Sequence, residues 1–455
     1  MRKKNQQQMP LMPCTLEHPR ARELERISQI LDDIPTITDM VLQDLTHGVK
    51  NRHCGAEGMS AEQVLRAAII KQTEGFSYKE LAFHLIDSRT YRSFCRIGIT
   101  HKGFKKSALC KNIKAISPET WESINRLLAA YGEDKKIEKG KEVRIDCSVV
   151  CSNIHEPSDS SLLWDSVRVL TRILGRMKED LGVDILYTDH HRRAKKRTLE
   201  ILNAKSEKAR VKPYKDLLKV TYKTVGYSKK AASILDSHVF HDAGEMALAM
   251  AMTKDLEELI PLAEKVIDQT TRRVINDEKV PAAQKVVSIF EPHTDIIKKD
   301  HRETYYGHKV CLTGGASNFI SDCLIVEGNP ADSTLTCDML DRHEQIYGHY
   351  PLNAALDGGF ASKANLKAAK SRNIKNVCFA KKRGLKEEDM CQSHWVYKRL
   401  RRFRAGIESG ISWLKRCFGF SRCTWKSFES FKSYTWSCIV SANLFTLARS
   451  AKSAT

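Results

Sequence analysis

The sequence predicts a two-part protein: an all-helical N-terminal unit, then an α/β domain built on a mixed sheet with packed helices and a helical insertion. Three observations lead there. Residues 36–132 carry repeated helix-start signals around apolar residues at helical spacing. From residue 143, short β-branched apolar runs alternate with amphipathic segments, the pattern of a sheet covered by helices. Between the first such run and the next, a stretch of about 160–280 turns helical again. A chain of 455 residues exceeds one ordinary domain, and its 42% apolar content is enough for a sizeable core.

The helical unit follows a loose lead-in over residues 1–35, polar and broken by Pro10, Pro13 and Pro19. Ser60 with Gln63 and Ser77 with Glu80 have capping-box spacing, and TEGF between those two helices is a short turn. A further helix starts near Ser88, SALCKNIKAIS continues the theme, and Ser117-Pro118 opens a helix that stops at Gly132. Two short helices joined by a tight turn read equally as a DNA-binding helix-turn-helix or as plain helical packing. EDKKIEKGKE, residues 133–142, is a charged linker.

The α/β part opens with VRIDCSVV, residues 143–150, a buried strand. The insertion holds SSLLWDSVRVLTRILGRM and the basic run HHRRAKKR, residues 190–197. KVVSIFE reads as a strand, and GHKVCLTGG with ISDCLIVEG as a hairpin. Asp332-Ser333 opens a helix to about residue 347. PLNAALDGGF gives a strand ending at Asp357, then follow a helix, the strand NVCFA, a long helix across FRAGIESGISWLKR, and a last helix from about 429.

A net charge of +20 and a pI near 9.3 point to a polyanionic partner, nucleic acid before an anionic membrane. The most apolar late stretch, residues 434–448, is too short to span a bilayer and carries Ser and Asn. The basic N-terminus lacks the apolar core of a secretory signal. Fourteen cysteines with no CxxC pair fit reduced, buried thiols in a cytoplasmic protein and give no support to a zinc site.

Three acids stand out. Asp146 lies inside an apolar strand, where a carboxylate is costly unless paired. Asp357 ends another strand before two glycines, which let a ligand or backbone approach. Taken singly, each also reads as structural, a salt-bridged aspartate or a turn cap. Glu408 is the one acid of its helix, and between Lys381 and Lys426 thirteen Lys and Arg face four acids. Ile407, Ile411, Leu414 and Phe418 form the buried stripe; Arg404, Glu408 and Lys415 form a second about 100° away. An ordinary Arg404–Glu408 pair, contributing about 0.2–0.5 kcal/mol, explains the spacing but not the basic surroundings. Asp159 and Asp332 read better as helix caps, and Asp189-His190-His191 as part of a basic face. Asp165 is a weaker competitor, and His155 and Glu156 could support the first strand's acid from outside it. Trp164 and Trp413 read as core, with base stacking the other role open to them.

These stretches carry a resemblance to bacterial insertion-sequence transposases of the DDE type, the ISNCY-type group and its relatives. It rests on RIDCSVVCSNIHEPSDSSLLWDSVR, YYGHKVCLTGGASNFISDCLIVEGNPADST, ALDGGFAS and the glutamate helix, together with MSAEQVLRAAIIKQTEGFSYKELAFHL near the N-terminus. Relatives space Tyr, Arg, Glu and Lys by two, three and six residues. Arg404, Glu408 and Lys415 keep the last two spacings, while Arg401 stands at the tyrosine position.

The resemblance implies a ribonuclease H-like catalytic domain over residues 143–455, with the insertion at about 160–280, and a DNA-binding role for residues 36–132. It implies that Asp146, Asp357 and Glu408 bind Mg²⁺ or Mn²⁺, two ions, for metal-dependent nicking and 3′-OH strand transfer at the element's terminal inverted repeats. Arg404, Lys415, Arg401, Arg402, Arg192 and Arg193 would then contact DNA, at element ends and target, in a homodimer acting at the cytoplasmic nucleoid. Two alternatives remain at this point: a ribonuclease H-like nuclease with another DNA substrate, and a transposase-derived DNA-binding protein without catalysis.

Overall fold

The computed structural model describes residues 3–4, 17–51, 58–98, 100–238, 240, 242–299 and 303–450. The chain forms two compact units, residues 1–152 with 308–455, and residues 153–307.

In the first unit, helices α1 (Pro19–Asp33), α2 (Thr36–Thr46), α3 (Ala61–Glu74), α4 (Tyr78–Asp87), α5 (Arg89–Phe94), α6 (Lys106–Lys114) and α7 (Pro118–Asp134) precede strand β1 (Glu142–Cys151). Both expected capping boxes form: Ser60 and Ser77 each accept from the third helical N–H while Gln63 and Glu80 reach back. Gly75, in the left-handed region at φ 68°, ends α3 and turns the chain into α4. The described part of the expected loose lead-in differs: residues 19–33 are helical. Leu24, Ile27, Ile30 and Leu31 recur at helical spacing and are buried, and Pro19 fits the first turn. Residues 5–16 of that lead-in lie outside the described residues.

The second unit is a helical bundle of α8 (Asp159–Leu181), α9 (His191–Asn203), α10 (Glu207–Ser237) and α11 (Ala243–Thr270), packed around its own apolar cluster. KVVSIFE is not a strand; its residues run through irregular backbone and bends, with Val286 held by Gln269, whose side chain bonds both its N–H and its C=O. Strand β2 (Asp295–Lys299) comes later and pairs antiparallel with the first residues of β3 (Glu303–Gly314).

Strand β3 continues into the first unit and forms the expected antiparallel hairpin with β4 (Ile320–Val326). Helix α12 (Thr336–Tyr347), β5 (Asn353–Leu356), α13 (Lys363–Ser371), β6 (Asn376–Phe379), short α14 (Glu387–Met390), α15 (His394–Cys417) and α16 (Phe428–Ser450) complete the unit. Its strands run in the order β4-β3-β1-β5-β6, with β1–β5 and β5–β6 parallel.

Helix α16 mixes apolar residues with small polar ones and is buried on every side from Ser433 to Ala448, the position of a central helix. It packs against α1, α3 and α7 as well as β4, so the N-terminal helices and the sheet share one core. Two buried asparagines serve the backbone where β4 begins. Asn443 accepts from the Ile320 N–H at 2.9 Å and donates to its C=O at 2.7 Å, and Asn125 donates to the Ser321 C=O at 2.9 Å. Edge backbone groups inside this core thus keep their hydrogen bonds.

His343 on α12 is buried, and its Nε2 pairs with the Gly140 carbonyl at 2.8 Å, just before β1. Burial pushes its pKa down to about 4. The folded state therefore binds the proton less well than the unfolded chain, and the stabilisation is lost as pH falls from about 6.5 toward 4. Denaturant unfolding between pH 6.5 and 5 should show stability falling, with this group contributing at most about 1.4 kcal/mol per pH unit. His343→Gln should flatten that slope; an unchanged slope would exclude this residue as its source.

Candidate active site

Sheet register brings the first two acids together. Ile145 on β1 pairs with Leu356 on the parallel strand β5, so the next residues, Asp146 in the middle of β1 and Asp357 just past the end of β5, are neighbours. Strand carboxyl ends are where α/β sheets place their chemistry. Asp357 leads into a short 3₁₀ turn, Gly358–Phe360, without a capping hydrogen bond to its side chain. A Cβ on Gly358 would lie 2.7 Å from the Lys381 side chain, and one on Gly359 would lie 2.7 Å from Asp332 Oδ2, so neither position admits a larger residue without rearrangement.

Helix α15 supplies the third acid, and one face of β1 fixes where it lies. Side chains two apart on a strand share a face. At the start of β1, Glu142 takes Arg399 in a two-pronged ion pair at 2.6 and 3.0 Å. This Arg399 contact, ahead of its burial, holds the Glu142 carboxyl below its usual range. Next, buried Arg144 donates to the Phe403 carbonyl at 3.1 Å and to Asn318 Oδ1 at 2.5 Å, and its guanidinium lies over the Phe403 ring. Then Asp146 meets Arg404 at 3.7 Å.

Arg404 joins all three acids. Its Nη1 lies 2.8 Å from Asp357 Oδ1 and 3.7 Å from Asp146 Oδ2, and its Nη2 bonds Glu408 one helical turn on. The side chain is only 13% exposed, against 17% for Asp146, 39% for Asp357 and 58% for Glu408. A single partly buried cation therefore gathers three carboxylates that would otherwise repel one another. Among the described residues, no three acid, histidine or cysteine side chains stand ready as a metal cage, because the carboxylates are arranged around Arg404. The donor set is nonetheless one of hard carboxylate oxygens, which suit Mg²⁺ or Mn²⁺.

The competing acids are held elsewhere. Asp332 pairs with Lys309 at 2.9 Å. In the second unit Asp159 takes Arg273 and Gln269, and Asp165 takes Arg168 and His155. Asp189 accepts from the His191 N–H at the start of α9. Of the expected DNA contacts, Arg401 and Arg402 are exposed on α15 and Lys415 is half-buried on the same helix. Arg192 is exposed on α9, whereas Arg193 is tied to Asp216, whose carboxyl is pulled down to about 2 chiefly by that contact. Sequence reasoning missed Glu142, Arg144 and Arg399. The signal was present: charged residues at 142, 144 and 146 alternate with Val143 and Ile145, which marks one polar face.

Three carboxylates, one within β1, one just past the end of the parallel strand β5 and one on a basic helix, form a candidate phosphoryl-transfer centre of the acid-triad kind. Residues 266–444 match the family model of the transposase DDE domain, and residues 16–115 match that of a transposase domain (DUF772). These two matches identify the chain as an insertion-sequence DDE transposase. The DDE match includes Asp357 and Glu408 and begins after Asp146. No curated protein and no solved structure matches the chain. Among the described residues no helix is long and apolar enough to cross a membrane.

Two outcomes follow. Arg404→Ala should destabilise the metal-free protein by about 1–2 kcal/mol, because partly exposed carboxylates lose their shared counter-charge. Millimolar Mg²⁺ should restore more of its melting temperature than it adds to the wild type; equal gains would mean that Arg404 does not hold the acids. Separately, a Cβ on Gly406 would lie 1.8 Å from Arg144 Nη1. Gly406→Ala should therefore cost about 1–3 kcal/mol in urea unfolding, and adding Arg144→Met should recover part of it.

Proposed function

We propose that this protein is an active transposase that nicks the ends of its own element and joins the freed 3′-OH to target DNA, using Asp146, Asp357 and Glu408. The observation that carries the reading is the convergence of these three carboxylates on one guanidinium. The strand order β4-β3-β1-β5-β6, with its antiparallel hairpin and parallel far side, supports a ribonuclease H-like sheet.

DDE transposases use divalent metals, and here Asp146, Asp357 and Glu408 would hold two Mg²⁺ or Mn²⁺ ions. Such ions supply Lewis acidity toward the phosphodiester and make water a competent nucleophile near neutral pH. The chain's own residues set the geometry. Asp146 and Asp357 sit on strands that cannot shift independently, and Glu408 is fixed by the anchoring of α15 on β1. Arg404, beside the three acids, would hold a phosphate oxygen next to the scissile bond. Exposed Arg401 and Arg402, with Lys415, extend that positive surface along α15. Terminal-repeat recognition belongs in this reading to residues 36–132, and synapsis of two ends to a homodimer working on DNA in the bacterial cytoplasm.

Purified protein and a duplex carrying the DNA that flanks its gene provide the test, with Mg²⁺ or Mn²⁺ against EDTA. Metal-dependent nicks at the element ends, reduced at least a thousandfold in Glu408→Gln, are expected (about the loss of one essential group). Binding without cleavage in any metal would favour a DNA-binding protein that has lost catalysis. Cleavage that ignores the element ends would favour a nuclease with another substrate. Equal cleavage by wild type and Glu408→Gln would remove Glu408 from the site.

A further inference from the structure

Helix α15 carries a second polar surface that the acid triad does not use. Trp413 lies five residues after Glu408, about 140° round the helix, and Arg416 lies about 80° from Glu408, between the two. Two cavities open beside Trp413. One, of about 430 Å³, is lined by Ser317, Asn318, Ser409, Trp413, Arg416 and Arg449 among others, with two arginines and no carboxylate. The other, of about 460 Å³, shares Trp413, Arg416 and Arg449 and adds Lys415 and Arg20, the latter paired with Glu74 of the same lining. The half-buried indole borders both.

The chemistry of this surface is specific. Arg416 is exposed and, among the described residues, has no carboxylate partner; its side chain makes a long contact to the Ser412 carbonyl at 3.4 Å. Arg449 lies 5.7 Å from the centre of the Trp413 ring and is half-exposed while pairing with Glu23. Asn318 accepts from Arg144 through Oδ1, which leaves its amide nitrogen as a donor. Ser409 adds a hydroxyl. An aromatic platform flanked by guanidinium groups and neutral donors, with no carboxylate in the first cavity, suits a polyanion whose bases are free to stack. Duplex DNA hides its base faces, whereas an unpaired strand offers them.

We propose that the Trp413 groove binds an unpaired DNA strand, with a base against the indole and neighbouring phosphates at Arg416 and Arg449. The inference rests on the strand-cleavage reading above, since nicking beside Glu408 releases an unpaired strand next to this helix. A strand leaving the acid triad would cross the exposed face of α15 over Arg416 and enter the groove at Trp413.

The test uses full-length protein in EDTA, so that binding is read apart from cleavage. The probe is a fluorescent twelve-nucleotide oligothymidylate with one 5-bromouracil. Irradiation should crosslink the probe to Trp413. Trp413→Leu should weaken anisotropy-measured binding about tenfold, the scale of one lost base stack. Arg416→Ala should lower the slope of log affinity against log salt by about 0.7, the loss of one phosphate contact. If Trp413→Leu fails to fold, the exposed Arg416→Ala decides alone. Crosslinks mapping away from α15 and α16, or folded variants that bind like wild type, would overturn the proposal. Cleavage of the element-end duplex is measured in parallel with Mg²⁺. Loss of oligonucleotide binding in the groove variants, in a protein that nicks nothing, would keep the groove and sink the transposase chemistry. Normal nicking with an unaffected oligonucleotide would do the reverse.

Discussion

The site depends on one contact line, the polar face of β1 against helix α15. Glu142, Arg144 and Asp146 point the same way, and each takes a partner one step further along the helix: Arg399, the Phe403 carbonyl and Arg404. The line fixes both the height and the rotation of α15, and so fixes Glu408. Its middle member is the most demanding. Arg144 is buried with no carboxylate in direct contact among the described residues, and burial lowers its pKa. A backbone carbonyl, an asparagine oxygen and an aromatic face hold it instead. Such a group tolerates little displacement, because a buried guanidinium that loses its acceptors has no water to replace them. Gly406 follows from this: the helix backbone approaches where a side chain would strike Arg144.

At the end of that line stands Arg404, whose setting differs. It is a short-range counter-ion to three acids, two of them on neighbouring parallel strands. One positive charge cannot balance three negative ones, so the centre keeps an excess of negative charge inside a strongly basic helix. That imbalance favours divalent cations at the centre and phosphates around it. Arg404 belongs to both populations. It neutralises the acids in this structure, and in the function proposed above it would also meet a phosphate of the DNA. The same helix presents Arg401, Arg402 and Arg416 outward, so the acid pocket is a small negative island on a positive surface.

The burial of α16 gives this assembly its rigidity. A helix that packs α1, α3 and α7 on some sides and β4 on another ties the N-terminal helices to the sheet through a common core. Residues 153–307 contribute an apolar cluster of their own, and their ion pairs close among themselves: Asp159 with Arg273, Asp216 with Arg193 and Arg197. Asp159 and Asp165, which follow β1 closely in sequence, are thereby committed to ion pairs within the bundle.

Much of this was legible in the amino-acid sequence. Capping boxes at Ser60 and Ser77, the Ser117-Pro118 start and the β3–β4 hairpin are local signals, written in neighbouring residues and settled by short-range hydrogen bonds. The lone glutamate of a basic helix, the aspartate inside an apolar strand and the aspartate ending another were visible for the same reason. KVVSIFE misled because β-branched apolar residues serve a buried irregular stretch as well as a strand; the Gln269 side chain, not a neighbouring strand, takes up the Val286 backbone. The helix at 19–33 was obscured by the polar, proline-bearing residues before it, although its apolar spacing was there to read. What the sequence could not decide is long-range. That Asp146 and Asp357 are neighbours follows from a parallel register across about two hundred residues. That Arg404 serves three acids, and that Arg144 requires Gly406, follows from how a helix and a strand far apart in the chain lie against each other, and no local pattern encodes that distance.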